Sequence, residues 1–517
     1  METIPTPPAE FLSLRQLVQG LEGCRVEGDD RLPVTGLAYH SAAVVPGGLF
    51  VALRGLTTDG HLYVEAALKA GARVIVSERR LTLPEGVTLV QVPDARLALA
   101  HLSAAFYGHP SRELTLIGIT GTNGKTTTAY LLEAILTAAG QRVGVLGTVN
   151  YRLGERRWPA PVTTPESLDL NRFLREMRRA GATHAVMEVS SHALDLRRVD
   201  RVAFDAAVFT NFSQDHLDYH GDLESYFRAK SRLFLEILGD CGPRGLAVLN
   251  LDDPWVRRLW PQVPGPVLTF GRHFEAQVRP RWSEFRPTGI TARLATPKGE
   301  LTVHSRLVGP FNLANILAAA AAALGLGLPP ESVAQGIAGL SGVPGRLERF
   351  GPPEGPHVFV DYAHTPDALA AVLAALKTVG FSRVITVFGC GGDRDQSKRP
   401  LMGAAAAEGS RLVIVTTDNP RTEDPFRIMA HIEAGLAEAG LGPVSLAAVR
   451  RGEPGYLVVP DRREAIHLAV RLAEPGEAVL VAGKGHEDYQ IWGTRKIPFD
   501  DRAEVRQALR ERGWDPE

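Results

Sequence analysis

One short segment of the sequence combines the residue types that bind nucleotide phosphates. Residues 114–130 read LTLIGITGTNGKTTTAY, which places Gly121, Lys125 and Thr126 between a β-branched run and a helical pattern. Glycine lets backbone N–H groups turn toward an anion, lysine reaches the terminal phosphates, and a threonine hydroxyl can bind Mg²⁺. The strict Walker A spacing requires glycine where this chain has Ile119. A plain glycine turn is the alternative, but the strand before it and the helix after it favour an ATP-phosphate loop.

Candidate metal ligands follow two apolar runs in the middle of the chain. Glu188 ends the run HAVME, and His216 follows the run AAVFT. Carboxylate and imidazole groups suit a divalent cation beside nucleotide phosphates. Each residue alone is better explained as a capped turn or a satisfied histidine. Their shared place at the carboxyl ends of predicted strands favours a metal site.

Four polar loops follow predicted strands in the last third of the chain. Arg394 and Arg421 offer guanidinium forks for carboxylates. Asp418 and Glu487 offer acceptors for an ammonium group. Groups of both signs on one sheet edge favour a zwitterion such as an amino acid. The loops are residues 361–367, 389–395, 418–421 and 483–488.

Alternating strand and helix patterns must position these groups, which predicts an α/β fold with three domains. The first, residues 1–112, is a smaller α/β domain. The second, residues 113–343, is predicted to hold the phosphate loop in a mostly parallel sheet with helices on both faces. The third, residues 344–517, is predicted to be Rossmann-like. A Gly/Pro/Ser segment (YGHPSR) and the turn GVPGR mark the two boundaries.

The composition excludes several other classes of protein. The chain has 517 residues, with 57 Lys and Arg against 58 Asp and Glu, which argues against a nucleic-acid coat or a membrane-surface patch. Its three cysteines are far apart, without the spacing of a disulfide framework or a zinc ribbon. The N-terminus lacks the pattern of a signal peptide, and no apolar run is long enough to span a bilayer. We therefore expect a cytoplasmic, soluble enzyme.

Further motifs make the resemblance to a known family specific. They are MEVSSHAL (residues 187–194), FTNFSQDHLDYHG (residues 209–221), GCGGDRD, DNPR and AGKGHEDYQ. Together with TGTNGKTT they resemble the Mur ligases of peptidoglycan synthesis, which are three-domain, ATP-dependent amino-acid ligases. TGTNGKTT alone marks only a superfamily that includes folylpolyglutamate synthases. The resemblance covers nearly the whole chain, most strongly from Gly118 onward.

The resemblance implies a reaction. The motifs are most similar to those of members that add the third amino acid to UDP-N-acetylmuramoyl-L-alanyl-D-glutamate. These members use ATP and Mg²⁺, pass through an acyl phosphate and release ADP. The arginine of DNPR implies meso-diaminopimelate as the amino acid, with L-lysine or L-ornithine as alternatives. More distant alternatives are a folylpolyglutamate-synthase-like ligase and a phosphate-loop ATPase without ligase activity. The resemblance also implies a monomer.

The resemblance implies roles for individual residues as well. It implies ATP contacts from Gly121, Thr122, Asn123, Gly124, Lys125, Thr126, Thr127, Asn250, Arg346 and Asp361. It implies metal ligands Thr126, Glu188, His216 and Lys230, the last as N6-carboxylysine, and catalytic roles for Lys125, His216 and Lys230. It implies UDP-dipeptide contacts from Ser41, Leu56, Thr57, Thr58, Thr163, Thr164, Ser190 and Arg198. It implies amino-acid contacts from Arg394, Asp418, Asn419, Pro420, Arg421, Gly483 and Glu487.

A few positions depart from the family pattern. The sequence His40-Ser41-Ala42 stands where relatives often have Asp-Ser-Arg, Val162 replaces an asparagine, and Leu196 replaces a glutamine. These departures affect the predicted uridine and dipeptide contacts rather than the predicted catalytic residues.

Overall fold

A small, mostly parallel sheet opens the chain. The computed structural model describes residues 12–55, 58–240, 245–352 and 355–516. The sheet has the strand order β2-β7-β6-β5-β4, in which only the pairing of β2 with β7 is antiparallel, and β1 pairs with β3 separately. The elements are β1 (Leu12–Ser13), α1 (Leu14–Val18), β2 (Arg25–Glu27), β3 (Pro33–Val34), β4 (Leu37–Ala38), β5 (Leu49–Val51), α2 (Val64–Lys69), β6 (Val74–Ser77), β7 (Thr88–Gln91) and α3 (Ala95–Phe106).

An eight-stranded sheet follows and carries the phosphate loop. Its order is β11-β10-β9-β12-β8-β13-β14-β15, with six parallel strands and an antiparallel edge formed by β10 and β11. The elements are β8 (Thr115–Thr120), α4 (Lys125–Ala138), β9 (Val143–Leu146), β10 (Tyr151–Leu153), β11 (Arg156–Trp158), α5 (Ser167–Arg179), β12 (His184–Glu188), α6 (Ser191–Asp195), β13 (Ala206–Phe209), α7 (Leu217–His220), α8 (Leu223–Arg232), α9 (Leu238–Asp240), β14 (Leu246–Asn250), α10 (Pro254–Leu259) and β15 (Val267–Phe270). A π-helical turn, Leu233–Ile237, joins α8 to α9.

The parallel strands of this sheet are buried throughout, which is why they read as continuous Val, Ile and Leu runs rather than as alternating patterns. Their register explains how distant motifs converge. Glu188, the last residue of β12, lies opposite Ile119 near the end of β8. Phe209 of β13 lies opposite Thr120 on the other side. The segments that follow β12 and β13 therefore emerge on either side of the phosphate loop.

A three-stranded sheet and two helices come next in the chain. The sheet has the order β16-β17-β18. The elements are β16 (Arg279–Arg286), β17 (Gly289–Thr296), β18 (Gly299–Ser305), α11 (Pro310–Gly325) and α12 (Pro330–Gly339). The alanine-rich segment of the sequence lies in α11, where Ala318 to Ala323 are buried.

A six-stranded sheet forms the end of the chain. Its order is β19-β20-β24-β21-β22-β23, and all pairs except β19 with β20 are parallel. Because the four predicted polar loops follow β20, β21, β22 and β24, they share the carboxyl edge of this sheet. The elements are β19 (Glu348–Phe350), β20 (His357–Asp361), α13 (Pro366–Thr378), β21 (Val384–Phe388), α14 (Lys398–Gly409), β22 (Leu412–Val415), α15 (Pro425–Glu438), α16 (Leu446–Arg450), β23 (Gly455–Val458), α17 (Arg462–Leu472), β24 (Ala478–Ala482), β25 (Tyr489–Trp492), β26 (Arg495–Pro498) and α18 (Asp501–Glu511).

Packing divides the described residues into two units. The first holds the residues up to Arg279 together with Thr296–Lys298 and Leu317–Gly336; the second holds Pro280–Ala295, Gly299–Ile316 and the residues from Ile337 onward. The three-domain boundaries after residues 112 and 343 stay a prediction. In the part of the chain that the structure describes, no helix combines the length and apolarity needed to cross a membrane.

Candidate active site

Two glycines shape the predicted phosphate loop between β8 and α4. Gly121 has φ 138°, and a Cβ there would clash with the hydroxyl oxygen of Thr210. Gly124 caps α4 with φ 86°. Both backbone conformations favour glycine, and only glycine allows the close approach at position 121. The loop therefore delivers the chain to the N-terminus of α4, where the helix dipole favours an anion.

Two lysines converge on one carbonyl oxygen of this loop. Lys125 donates from Nζ to the carbonyls of Gly121 at 2.8 Å and Thr122 at 2.9 Å. Lys230, from α8, donates to the same Gly121 carbonyl at 2.9 Å. Lys230 is only 1% exposed, and its burial, followed by the charge of Lys125, holds its pKa well below the ordinary value for lysine. The structure thus places both predicted catalytic lysines together at the loop.

Glu188 joins the phosphate loop to its neighbours. It is 2% exposed and accepts hydrogen bonds from the hydroxyls of Thr126 at 3.0 Å and Thr148 at 2.9 Å, and from the Thr148 amide at 2.9 Å. The result is a cluster of oxygen donors beside the first turn of α4. Mg²⁺ prefers one or two carboxylates completed by phosphate oxygens and water. Glu188 and Thr126 therefore fit a magnesium ion that is shared with a nucleotide.

His216 lies in different surroundings. Its backbone is left-handed, with φ 52°, and its ring lies 5.0 Å from that of His192 and 6.1 Å from that of Tyr226. Burial lowers its pKa, which favours the neutral imidazole that binds metals. Among the described residues, no group of three or more His, Cys, Asp or Glu side chains is arranged to hold a metal ion. Metal binding by His216 stays a prediction.

Four residues predicted to bind the muramyl dipeptide lie around the end of β12. The Thr163 hydroxyl lies 3.1 Å from that of Thr148. The Thr164 hydroxyl donates to the Glu188 carbonyl at 2.9 Å and accepts from the Ser190 amide at 3.0 Å. Arg198 donates to the carbonyl of Thr164 at 3.0 Å. These groups are thus contiguous with the Glu188 cluster.

The predicted uridine contacts are less connected. Leu56 and Thr57 lie outside the described residues. Ser41 begins a short 3₁₀ helix, Ser41–Ala43, and the Thr58 hydroxyl lies 3.5 Å from the hydroxyl of Tyr63. The uridine roles of all four residues stay predictions.

The N-terminal sheet also holds a hydrogen-bonded chain ordered like a hydrolase triad. His61 lies 2.6 Å from the Asp59 carboxylate through Nδ1 and 2.9 Å from the Ser77 hydroxyl through Nε2. However, Ser77 is fully buried, and its hydroxyl donates to the carbonyl of Arg79 at 2.8 Å. This hydroxyl does not reach solvent and does not offer its proton to the histidine. The hydrogen bonds among Asp59, His61 and Ser77 therefore stabilise the local structure and supply no nucleophile.

Of three further predicted ATP contacts, two form hydrogen bonds with the backbone and the third lies against an aromatic ring. Asn250 donates to the Thr210 carbonyl at 2.7 Å, which ties the ends of β13 and β14. Asp361 is buried and accepts from the amides of Leu347 at 2.6 Å and Ala363 at 2.8 Å, and burial raises its pKa. The Arg346 guanidinium lies 4.9 Å from the ring centre of Tyr362. Nucleotide binding by these three residues stays a prediction.

A buried lysine organises the predicted amino-acid pocket. Lys484, 0% exposed, donates from Nζ to Glu487 at 3.0 Å and to the amide oxygen of Asn419 at 3.3 Å, and it lies 3.5 Å from Asp418. Asn419 also donates to Glu487 at 3.1 Å. The two carboxylates expected to receive a ligand ammonium thus already share one protein cation.

The DNPR loop is fixed by its neighbours. Arg421 donates from Nη1 to the carbonyl of Gly392 at 2.6 Å, and its backbone bonds to Ile491 and Gly493 of the β25–β26 hairpin at 3.0 and 2.7 Å. Pro420 approaches so closely that a Cβ on Gly392 would clash with its carbonyl oxygen. Two other predicted contacts are Gly483, with φ 109°, and Arg394, which is exposed.

Comparisons with known proteins place these features in a family. Three family models match the chain: "Mur ligase family, catalytic domain" at residues 33–107, "Mur ligase middle domain" at 119–323, and "Mur ligase, glutamate ligase domain" at 345–485. A UDP-N-acetylmuramoyl-L-alanyl-D-glutamate--2,6-diaminopimelate ligase of Geobacter metallireducens is 50% identical over 504 residues, which cover 97% of this chain and 99% of the relative.

This chain belongs to the Mur ligase family. A ligase of the same name from Geobacillus thermodenitrificans is 43% identical over 503 residues, covering 97% of this chain and all of the relative. A solved structure titled as that ligase has a TM-score of 0.71 and 33% identity, and covers 98% of this chain and 100% of the other. The predicted family, the α/β fold class and the ligase class are therefore confirmed.

In this Mur ligase, sequence reasoning missed several residues that the structure places in the site. Thr148 follows β9 and contacts Glu188, and Lys484 lies within the AGKGHEDYQ motif. The rule that selected Glu188, a polar residue at the carboxyl end of a parallel strand, would also have selected Thr148. No pattern in the sequence shows that Lys484 is buried between two carboxylates.

Proposed function

We propose that this Mur ligase joins meso-diaminopimelate to the D-glutamate carboxylate of UDP-N-acetylmuramoyl-L-alanyl-D-glutamate at the expense of ATP. The names of the relatives support the dipeptide and the diaminopimelate. One observation carries the proposal: the Glu188 cluster is continuous with Thr126 of the phosphate loop on one side and, through Thr148, with Thr163 on the other. A phosphoryl donor and a carboxylate acceptor bound at these two sides would lie close together.

The reaction has two steps. The D-glutamate carboxylate attacks the γ-phosphorus of ATP, an acyl phosphate forms, and ADP leaves. The amine of the incoming amino acid then attacks the acyl carbon, and the tetrahedral intermediate collapses with release of phosphate. Phosphate is the leaving group that a free carboxylate lacks, so the enzyme needs no side-chain nucleophile. Positioning and charge neutralisation account for the rate.

The phosphate loop and its two lysines act on the phosphates. The N-terminus of α4 and the ammonium group of Lys125 would bind and orient the β- and γ-phosphates. Glu188 and Thr126 would hold Mg²⁺, which when bound supplies positive charge to the phosphoryl group. His216 is proposed as a further ligand, because its neutral imidazole lies in the segment that follows β13.

We assign Lys230 as an N6-carboxylysine. Burial, followed by the charge of Lys125, lowers the pKa of Lys230 and so favours the uncharged amine. An uncharged amine can add CO₂ by forming an N–C bond and releasing one N–H proton to water, which gives a carbamate, a carboxylate-like oxygen donor suited to Mg²⁺. The position of Lys230 at the Gly121 carbonyl supports this role.

The amino-acid pocket is proposed at the carboxyl edge of the C-terminal sheet. Arg421 would bind the second carboxylate of diaminopimelate, and Arg394 the first, through bidentate hydrogen bonds. Asp418 and Glu487 would bind an ammonium group, with Lys484 limiting their combined negative charge. L-lysine and L-ornithine lack the second carboxylate, which leaves Arg421 without a carboxylate partner. A cytoplasmic monomer that requires no nucleic acid or membrane is part of the same proposal.

The experiment that tests the ligase function measures phosphate release from ATP with each substrate withheld in turn. We expect release only when Mg²⁺, the UDP-muramyl dipeptide and meso-diaminopimelate are all present. Full hydrolysis without dipeptide and amino acid would instead support a phosphate-loop ATPase.

A further inference from the structure

We propose that the ion pair between buried Arg399 and half-buried Glu423 is a positioning device that sets the selectivity of the amino-acid pocket by fixing Arg421. The inference rests on the proposed function, because it concerns the choice between amino acids with and without a second carboxylate. Neither residue is expected to touch the substrate. Both act through the two loops that carry Arg394 and Arg421.

The arginine of this ion pair is fully buried and has no contact with water. Arg399, in the first turn of α14, is 0% exposed and donates to the two carboxylate oxygens of Glu423 at 2.8 and 3.0 Å. The same guanidinium donates to the Gly391 carbonyl at 3.3 Å. A bidentate pair of this kind fixes direction as well as distance. Arg399 therefore connects the loop after β21 with the loop after β22.

Glu423 extends this connection to the backbone of the neighbouring loop. Its Oε1 accepts from the amide of Asp393 at 2.6 Å. The Asp393 carboxylate in turn accepts from the hydroxyl of Thr422 at 2.8 Å and from its amide at 3.2 Å. Hydrogen bonds thus join the two loops in both directions directly beside Arg421.

Strained backbone conformations show why these hydrogen bonds are needed to hold the two loops. Asp393 and Arg421 both have left-handed backbones, with φ 52° and 51°, although neither is glycine. Such conformations persist only where surrounding contacts hold them in place. The Arg421 guanidinium is itself aimed by its bond to Gly392, the residue before Asp393. Loosening the ion pair would therefore move the Arg421 guanidinium.

The test compares kcat/KM for meso-diaminopimelate with kcat/KM for L-lysine in Glu423→Gln, Arg399→Lys and Thr422→Val variants. The ratio is independent of the fraction of protein that is folded, so a purely structural defect leaves it unchanged. We expect the ratio to fall about tenfold in the first two variants, because small misplacements of binding groups are costly. The KM for meso-diaminopimelate should rise while the KM for ATP stays constant.

One control and one milder variant keep the inference falsifiable. The control is Glu438→Gln, which changes an exposed residue at the end of α15, the helix that follows Glu423. It should leave the ratio at the wild-type value. Thr422→Val removes only one exposed hydroxyl contact and folds even if the buried variants do not; it should lower the ratio severalfold. A ratio within twofold of wild type in Glu423→Gln, Arg399→Lys and Thr422→Val would overturn the inference. A wild-type enzyme inactive with meso-diaminopimelate would instead overturn the proposed function.

Discussion

Lys230 reaches the phosphate loop from a helix more than a hundred residues away in sequence, and its Nζ lies 2.9 Å from the carbonyl oxygen of Gly121. Lys125 bonds to the same oxygen at 2.8 Å. Two lysine side chains at one carbonyl repel each other if both are charged, and burial favours loss of the proton from Lys230. The proposed mechanism therefore depends on whether Lys230 is an ammonium group, an uncharged amine or a carbamate.

Replacing Lys230 tests that state. We expect Lys230→Ala to lose at least about a hundredfold in kcat, comparable to removal of a group that stabilises transition-state charge. Added bicarbonate should not restore activity. Wild-type enzyme equilibrated with carbon-13 bicarbonate should show a carbamate signal by NMR that is absent from the variant. Arg228→Ala, an exposed change on the same helix, is the control. Full activity of Lys230→Ala would remove the residue from the site.

Magnesium dependence tests the Glu188 cluster. Chelation of Mg²⁺ should abolish activity, and added Mg²⁺ should restore it. Glu188→Gln and Thr126→Ala should each raise the Mg²⁺ concentration for half-maximal activity about tenfold, because each removes an oxygen donor. In the double variant the two effects should not add, since both residues serve one ion. Independent, additive effects would contradict a shared site.

A further ion pair, which is buried, contacts the backbone of two loops of the predicted amino-acid pocket. Arg462 and Asp501 are both fully buried and bond at 2.7 Å, and Arg462 also donates to the carbonyls of Thr417 and Ala482, just before Asp418 and Gly483. Arg462→Met should lower the free energy of unfolding by about 3–5 kcal/mol, because it leaves an unpaired buried carboxylate.

The double variant Arg462→Met, Asp501→Leu is the matched control for this prediction. It removes both charges and should recover much of the lost stability. Urea unfolding followed by circular dichroism measures both values. Equal stability of Arg462→Met and wild type would contradict the structural role of the pair.

His486 predicts a pH dependence of stability. Burial, followed by the positive charge of Arg346, lowers its pKa from 6.5 to about 4. Between these values the unfolded chain binds a proton that the folded chain does not, so stability is lost as the pH falls from 6.5 to about 4. His486→Gln should therefore lose less unfolding free energy than wild type between pH 7 and pH 5. The same loss in both proteins would contradict the prediction.

The sequence predicted the parallel sheets because their strands are buried on both faces and therefore read as unbroken apolar runs. It also predicted which residues follow the strands, which is how Glu188 and the DNPR loop were found. Lys230 reaches Gly121 because of the tertiary packing of α8, and no local pattern in the sequence predicts this contact. Arg399 and Lys484 look like surface residues in the sequence, because lysine and arginine rarely lie buried. Only the structure reveals the carboxylates that accompany them.

The most direct test of the account is phosphate release by the wild-type enzyme with ATP, Mg²⁺ and the UDP-muramyl dipeptide, with meso-diaminopimelate, L-lysine or L-ornithine supplied in separate reactions. We predict release with meso-diaminopimelate alone, because only that amino acid offers a second carboxylate to Arg421. Equal release with L-lysine or L-ornithine would contradict the role assigned to Arg421, and no release in any reaction would contradict the proposed function.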